Sequence, residues 1–388
     1  MIRAVVMGAG RVGSLIARDL AASSDVAVVA TDLREEALRP LADDGIAVRA
    51  ADLTEVGTLR ELVSDADVAV GAVPGSMGYG LLERLIEAGT PVVDISFSPE
   101  DPRDLDGIAR DRGVPAVVDC GVAPGLSNLM VGLSAGAMDR IDSVRILVGG
   151  LPARPEEPWG YRAVFSPADV IEEYVRPCRM RVDGEDVVVD ALSGLERVEL
   201  EEVGVLEAFH TDGLRSLLDT IDAPTMAEKT LRWPGHAAKA RALRDSGFFD
   251  ESPVRVGGVE VAPRELAVTL LTETWALEEA EEELTILIVE LAGVREGNPA
   301  RETWRLLDRT DAATGDTSMA RTTGFPAAQA ARLLATGRWN RPGVHPPEAL
   351  AAEPEVAESI LGAVRERGVS IRREGAGRAS ETGVVEGA

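Results

Sequence analysis

Lysine is nearly absent from this chain. Of its 40 basic residues 38 are arginine, leaving Lys229 and Lys239 as the only lysines. A lysine kept against that background marks a place where a group able to lose its proton serves better than a fixed guanidinium, with chance retention as the alternative. Cysteine is equally scarce. Cys120 and Cys178 make neither a disulfide framework nor a metal-ligand set, so no metal is expected. No apolar run approaches the ~18 residues of a membrane span. The 40 basic residues face 66 acidic ones, a net charge of −26. That balance argues against nucleic acid or an anionic membrane as partner, and it suits a cationic small molecule. The N-terminus enters a core strand directly, with no room for a signal peptide, so a cytoplasmic location is the expectation.

What the sequence does have is concentrated in its first 32 residues. Positions 2–7 form a short apolar run, β-branched at Ile2, Val5 and Val6, and read as a buried strand. Gly8-Ala9-Gly10-Arg11-Val12-Gly13 follows, with glycine at the first, third and sixth positions of the dinucleotide-binding fingerprint. Helical spacing then begins, with Val12, Leu15, Ile16 and Leu20 on one side, and a second strand over 26–30 ends at Thr31-Asp32. Gly8 permits the tight turn, Gly10 lets the backbone approach a pyrophosphate, and Gly13 lets helix and strand pack closely. The helix start offers free N–H groups to the phosphates. Asp32 stands where a carboxylate accepts bonds from the adenosine ribose and repels a 2′-phosphate, which favours NAD. Arg34, close by, can accommodate that phosphate and keeps NADP open.

At 388 residues the chain should hold two domains. Strands at 47–52, 67–74, 92–96 and 116–119 alternate with helices beginning at Thr54, which is placed to cap, at Gly78 and at Asp101. This alternation predicts a doubly wound parallel sheet, whose ligands lie beyond the carboxyl ends of the strands. That rule adds Asp52, within reach of adenine, and the loop of Ala72, Val73 and Pro74, within reach of ribose or nicotinamide. The cofactor set is then Gly8, Gly10, Arg11, Val12, Gly13, Asp32, Leu33, Asp52, Ala72, Val73, Pro74 and Gly121. After Asp119 a rigid glycine/proline turn leads into a helix over 127–138. Strands at 144–148, 187–189, 198–200 and 284–291, a hairpin over 254–261 and a helix over 265–277 make a mixed α+β second domain. Arg176-Pro177-Cys178-Arg179 reads as a turn. Amphipathic helices cover 326–335 and 354–367, a short strand 369–371, and a Gly/Ala/Ser/Glu-rich tail from 373 reads as disordered.

Several stretches together resemble the saccharopine dehydrogenase (reductase-type) superfamily, and within it the lysine 6-dehydrogenase branch. They are Asp119-Cys120-Gly121-Val122-Ala123-Pro124-Gly125, Trp159-Gly160-Tyr161, Phe165-Ser166-Pro167-Ala168-Asp169, Thr211-Asp212-Gly213-Leu214-Arg215 and Glu228-Lys229-Thr230-Leu231-Arg232-Trp233-Pro234-Gly235-His236. The resemblance runs from the fingerprint to Gly343-Val344-His345-Pro346-Pro347-Glu348. It implies an α/β fold: an N-terminal Rossmann domain over 1–122, an inserted α+β substrate and dimerisation domain over 123–340, and C-terminal helices over 341–372 returning to the Rossmann domain. It also implies a homodimer and an amino-acid substrate, lysine being oxidised by NAD to allysine with release of ammonia. Saccharopine reductases similar to this chain carry an acidic, substrate-contacting residue before the Pro-Gly of the 119–125 loop. Here that position is Ala123, which weighs against saccharopine.

Such a reaction needs a neutral amine, hence a base, and a fixed cation for the substrate carboxylate. The 210–236 stretch offers His210, Asp212, Lys229 and His236 for proton work, and the resemblance puts Arg232 at a carboxylate position. Lys229 can shuttle a proton or simply pair with Asp212 or Glu228. Trp159 and Tyr161 can wall an alkyl chain or fill core. Cys120, at a strand end beside the nicotinamide position, is a substrate contact, a thiol nucleophile or packing, and nothing in the reaction requires a covalent intermediate. Two other readings stay open: a saccharopine- or carboxynorspermidine-type reductase, and a non-catalytic NAD-binding protein.

Overall fold

The computed structural model describes residues 1–277 and 281–375, and it divides into two compact units. The first unit comprises residues 1–136 and 320–370. Its strands are β1 (Ile2–Met7), β2 (Val26–Asp32), β3 (Ala47–Ala50), β4 (Val68–Gly71), β5 (Val92–Asp94) and β6 (Pro115–Val117), with Gly343–His345 added at one edge. They pair in parallel, in the order Gly343–His345, β6, β5, β4, β1, β2, β3. The order reverses between β1 and β4, the switch point at which doubly wound sheets open a crevice. β4 is buried at all four residues, and β1 at its last four, because helices cover both faces. Helix Arg11–Ala21 buries Gly13, Leu15, Ile16, Ala17 and Leu20 and turns its polar residues outward.

Among the described residues, the second unit comprises 137–277, 281–319 and 371–375. Its large sheet runs Glu196–Leu200, Gly204–His210, Thr225–Arg232, Arg140–Pro152, Glu283–Arg295, Asn298–Arg309, Ser370–Glu374, with the hairpin Cys178–Val182/Glu185–Val189 joined to Thr225–Arg232. Thr225–Arg232 and Arg140–Pro152 run parallel; the neighbours to either side are antiparallel. Helices Pro167–Val175, His236–Asp245 and Pro263–Thr274 contribute to one aromatic core with Tyr161, Phe209 and Trp275.

Several boundaries differ from the sequence expectation for physical reasons. Helix Leu126–Ala135 and most of the helix Ser318–Ala335 belong to the first unit, not to the inserted domain. The latter helix starts well before Pro326 and carries that proline in its interior. Thr54 does not cap. Its hydroxyl bonds the Asp52 carboxylate at 2.6 Å, and the helix starts at Val56. The expected helix from Asp101 is a 3₁₀ turn, Pro102–Leu105, followed by the α-helix Asp106–Arg112. Cys178 opens a strand rather than sitting in a turn. Strands Gly204–His210, Thr225–Arg232 and Asn298–Arg309 were not expected, because their charged and polar residues mask period-two alternation. The tail beyond 375 lies outside the described residues. No helix among those described is long and apolar enough to cross a membrane, and they contain no cluster able to hold a metal.

Trp304 is fully buried in the second sheet, with the Arg373 guanidinium 4.6 Å from its ring centroid. Trp304→Ala should cost about 3–5 kcal/mol, read as a lowered urea midpoint.

Candidate functional site

In the first unit the chemistry of the fingerprint is a matter of missing side chains. Gly8 has φ +104°, and a Cβ there would stand 2.2 Å from the carbonyl oxygen of Ala72. A Cβ on Gly13 would stand 2.0 Å from the carbonyl oxygen of Gly8. A Cβ on Gly10 would meet nothing within 4 Å, so this glycine faces open space. No side chain caps the helix at Gly10, and a helix start of this kind is suited to an anion. Asp32 closes the other side. Its Oδ2 accepts from Ala9 N–H at 2.9 Å and its Oδ1 from Arg34 N–H at 2.9 Å, with Arg34 Nε 3.6 Å away. Leu33 is 70% exposed beside it. Asp52, at the neighbouring strand end, is held below its ordinary pKa by bonds from the Thr54 hydroxyl and N–H. Pro74 precedes a second uncapped helix, Gly75–Ala88. An open glycine, a helix start without a side-chain cap and a carboxylate at the end of β2 fit a dinucleotide.

The 119–125 loop is wound tightly at the end of β6. Asp119 has φ 52°, the Ala123–Pro124 bond is cis, and a Cβ on Gly125 would fall within 2.4 Å of three Gly121 backbone atoms. The chain therefore folds back on itself here, and Gly121 N–H donates to the Asp119 and Pro124 carbonyls. Cys120 is buried, and burial together with Asp94 and Asp119 pushes its thiol up to about 12. That shift disfavours the thiolate, the reactive form of a cysteine.

In the second unit, strand Thr225–Arg232 separates the expected residues onto two faces, because successive side chains point to opposite sides. Glu228, Thr230 and Arg232 lie on one face. The Thr211 hydroxyl bonds Glu228 Oε2 at 2.7 Å and lies 2.8 Å from the Thr230 hydroxyl. Gly213 N–H donates to the same Glu228 oxygen at 3.1 Å. Arg232 is 2% exposed, donates to Glu173 Oε2 at 2.8 Å and to the Leu231 carbonyl at 3.0 Å, and lies 4.8 Å over the Tyr161 ring. Burial opposes its charge, but Tyr174, Tyr161 and Glu173 outweigh burial and hold its pKa above the ordinary value. His236 Nε2 is 2.7 Å from the Tyr174 hydroxyl, and its Nδ1 3.3 Å from the Trp159 carbonyl. Burial, then the charge of Arg232, push His236 down to about 3. It is a neutral hydrogen-bonding group and a poor base. Tyr161 packs edge-on against Trp275, centroids 5.3 Å apart, and is itself fully buried, while Trp159 keeps part of its surface.

Lys229 and His210 lie on the opposite face, paired across neighbouring strands. Lys229 Nζ is 2.6 Å from Glu196 Oε1 and 2.6 Å from the Gly194 carbonyl. Arg145 bridges the same Glu196 and Glu290, each at 3.0 Å. Lys229 thus pairs with neither Asp212 nor Glu228, and Asp212 bonds Arg179 instead, at 3.2 Å through its N–H. Burial and the Lys229 charge push His210 down to about 4. The 210–236 stretch is therefore two groupings rather than one. Glu173, Tyr174 and Glu196 are the partners that sequence reasoning missed. The Ser166-Pro167 start of helix Pro167–Val175, with Ser166 accepting from Asp169 N–H, was the available signal for the first two.

Sheet, switch point and glycine cradle define an α/β protein built to hold a dinucleotide. The family model of the saccharopine dehydrogenase NADP binding domain matches residues 4–117, and that of the saccharopine dehydrogenase C-terminal domain matches 121–369. The chain belongs to the saccharopine dehydrogenase family. It is 22% identical over 383 residues to the carboxyaminopropylagmatine dehydrogenase of Synechocystis sp., covering 92% of this chain and 95% of that protein. It is 24% identical over 261 residues to the saccharopine dehydrogenase [NADP(+), L-glutamate-forming] of Saccharomyces cerevisiae, covering 64% and 58%. The apo structure of the yeast saccharopine dehydrogenase (L-Glu forming) superposes with a TM-score of 0.80 at 19% identity, over 97% of this chain and all of that one.

Burial, with Glu173 and Asp212 adding to it, raises Glu228 to about 8 against the bonds from Thr211 and Gly213. A folded pKa above the unfolded one means that stability falls as pH rises from about 4.5 to about 8, and is flat beyond. Glu228→Gln, which keeps the shape of the protonated acid, should lack this slope and be more stable than wild type by at least about 1 kcal/mol at pH 8. Urea midpoints of both proteins at pH 5 and pH 8 check it; equal differences at the two pH values would contradict it.

Proposed function

We propose that the chain is an NAD-dependent dehydrogenase of the terminal amine of L-lysine or a close relative, giving allysine, ammonia and NADH. The observation that carries lysine over saccharopine is Ala123. The tight loop at the end of β6 carries Ala123 at the position where the resemblance to saccharopine reductases implies an acidic, substrate-contacting residue. Asp32 supports NAD, since its carboxylate, already accepting from Ala9, suits ribose hydroxyls better than a 2′-phosphate. The cofactor, when bound, supplies the hydride acceptor; proton management falls to this chain. Burial and the Lys229 charge push His210 down to about 4, which makes it a poor base like His236, and it lies with Lys229 on the sheet face opposite Arg232, so the proton acceptor is assigned to neither. Arg232 is a fixed cation whose charge is already shared with Glu173, so a substrate carboxylate would have to share or replace that partner.

A second reading has its own support. The Synechocystis relative matches along almost the whole chain, and its name describes a dehydrogenase of a carboxyaminopropyl-substituted agmatine. In that reading the oxidised carbon bears a secondary amine, and an amine rather than ammonia departs.

The two readings separate on products. Incubation with NAD and lysine, ornithine, saccharopine, carboxynorspermidine or carboxyaminopropylagmatine should give the fastest NADH formation with lysine, accompanied by stoichiometric ammonia. NADH formation confined to the secondary amines, without ammonia, would establish the second reading. Asp32→Ala should raise KM for NAD by about tenfold, the loss of one or two hydrogen bonds, and change KM for NADP much less. Parallel titrations with the two cofactors check this.

A further inference from the structure

A segment from the far end of the chain packs on the fingerprint helix. Gly324, in the helix Ser318–Ala335, packs closely against the fingerprint helix. A Cβ there would stand 2.6 Å from Leu15 Cδ2, 3.3 Å from Ile16 Cγ1 and 3.6 Å from the Val12 carbonyl oxygen. Val12, Leu15 and Ile16 belong to the first two turns of the helix that starts at Arg11. Thr323, next to Gly324, meets the other loop of the crevice: its Cγ2 is 3.6 Å from where a Cβ of Gly121 would be. The far end of the fingerprint helix is gripped as well. Arg332 donates to Asp19 Oδ2 at 2.7 Å and to the Asp19 carbonyl at 2.5 Å, and Arg367 donates to both oxygens of the same carboxylate. Phe325 lies against the guanidiniums of Arg321 and Arg367, at 5.5 and 5.4 Å. One C-terminal segment thus fixes both ends of an 11-residue helix.

We propose that Gly324 and the Asp19–Arg332–Arg367 clamp are positioning residues of the cofactor site, setting the height of the fingerprint helix against the Gly8-Ala9-Gly10 turn. The helix start has no slack of its own, because Gly13 is already in backbone contact with Gly8. A methyl group at 324 would meet the tip of the buried Leu15 side chain first, with Ile16 and the Val12 carbonyl behind it, so either Leu15 turns or the start of the fingerprint helix moves away. The N–H groups that face a pyrophosphate are directional, and a preorganised site loses affinity when its donors turn away. Overpacking at this point therefore reaches the ligand as well as the core. The proposal rests on the nicotinamide cofactor and is independent of which amine is oxidised.

The test is binding rather than turnover. NADH and ADP-ribose are titrated against the full chain well below its Tm. Gly324→Ala should weaken both ligands by about tenfold, and Leu15→Val, which removes the δ-carbon in the way, should restore affinity in the double variant. Asp19→Asn, which loosens the clamp without adding volume, should weaken NADH in the same direction, and it serves if Gly324→Ala does not fold. A lowered Tm with unchanged NADH affinity in the folded variants would assign these residues to stability alone and overturn the proposal. An unsubstituted chain that binds neither NADH nor NADPH would overturn the cofactor reading itself, and this proposal with it.

Discussion

The first unit depends on backbone touching backbone. Gly8 lies against Ala72 and Gly13 lies against Gly8, so helix Arg11–Ala21, β1 and the loop after β4 meet without an intervening side chain. Any Cβ at either glycine would fall within 2.2 Å of a carbonyl oxygen, far inside van der Waals contact. That closeness brings the uncapped helix start, Asp32 and the loop of Ala72, Val73 and Pro74 to one crevice. It also leaves Gly10 as the member of the fingerprint that faces open space.

The second unit is governed by the opposite problem, which is how to bury charge. Arg232, Glu173 and Glu228 share one side of the large sheet, while Lys229, Glu196 and Arg145 share the other. Breaking a buried pair leaves the remaining charge without compensation, which is more costly than losing the attraction itself. Each of these residues therefore has two roles that are hard to separate by truncation, and conservative substitutions are the informative ones. Lys229 illustrates the point. Its ammonium serves a carbonyl and a carboxylate, each at 2.6 Å, and a planar guanidinium fits that geometry poorly.

The α/β half of the fold was legible because its signals are local. The strand, glycine turn, helix and terminal acid of residues 2–32 follow one another in sequence, and each carries its own periodicity. The second sheet was less so. Thr225-Met226-Ala227-Glu228-Lys229-Thr230-Leu231-Arg232 does alternate, but both of its faces carry charge, so period two does not appear as apolar against polar. Grouping His210, Asp212, Lys229, Arg232 and His236 by nearness in sequence missed the consequence of that alternation. Burial of His236 was hidden for a related reason: its environment is supplied by Trp159, Tyr161, Tyr174 and Trp275, distant in sequence and scarce in composition.

The strand Gly343–His345 completes the edge of the parallel sheet beside β6, and residues 320–370 join the unit begun at Met1. During synthesis, then, the portion emerging first must wait for the portion emerging last. Until residue 345 has left the ribosome, Pro115–Val117 is a bare edge with unpaired N–H and C=O groups, open to pairing with another chain. The intervening unit has no such delay for most of its strands. A premature stop before residue 343 would accordingly spare most of the second sheet while leaving the nucleotide-binding sheet permanently unfinished.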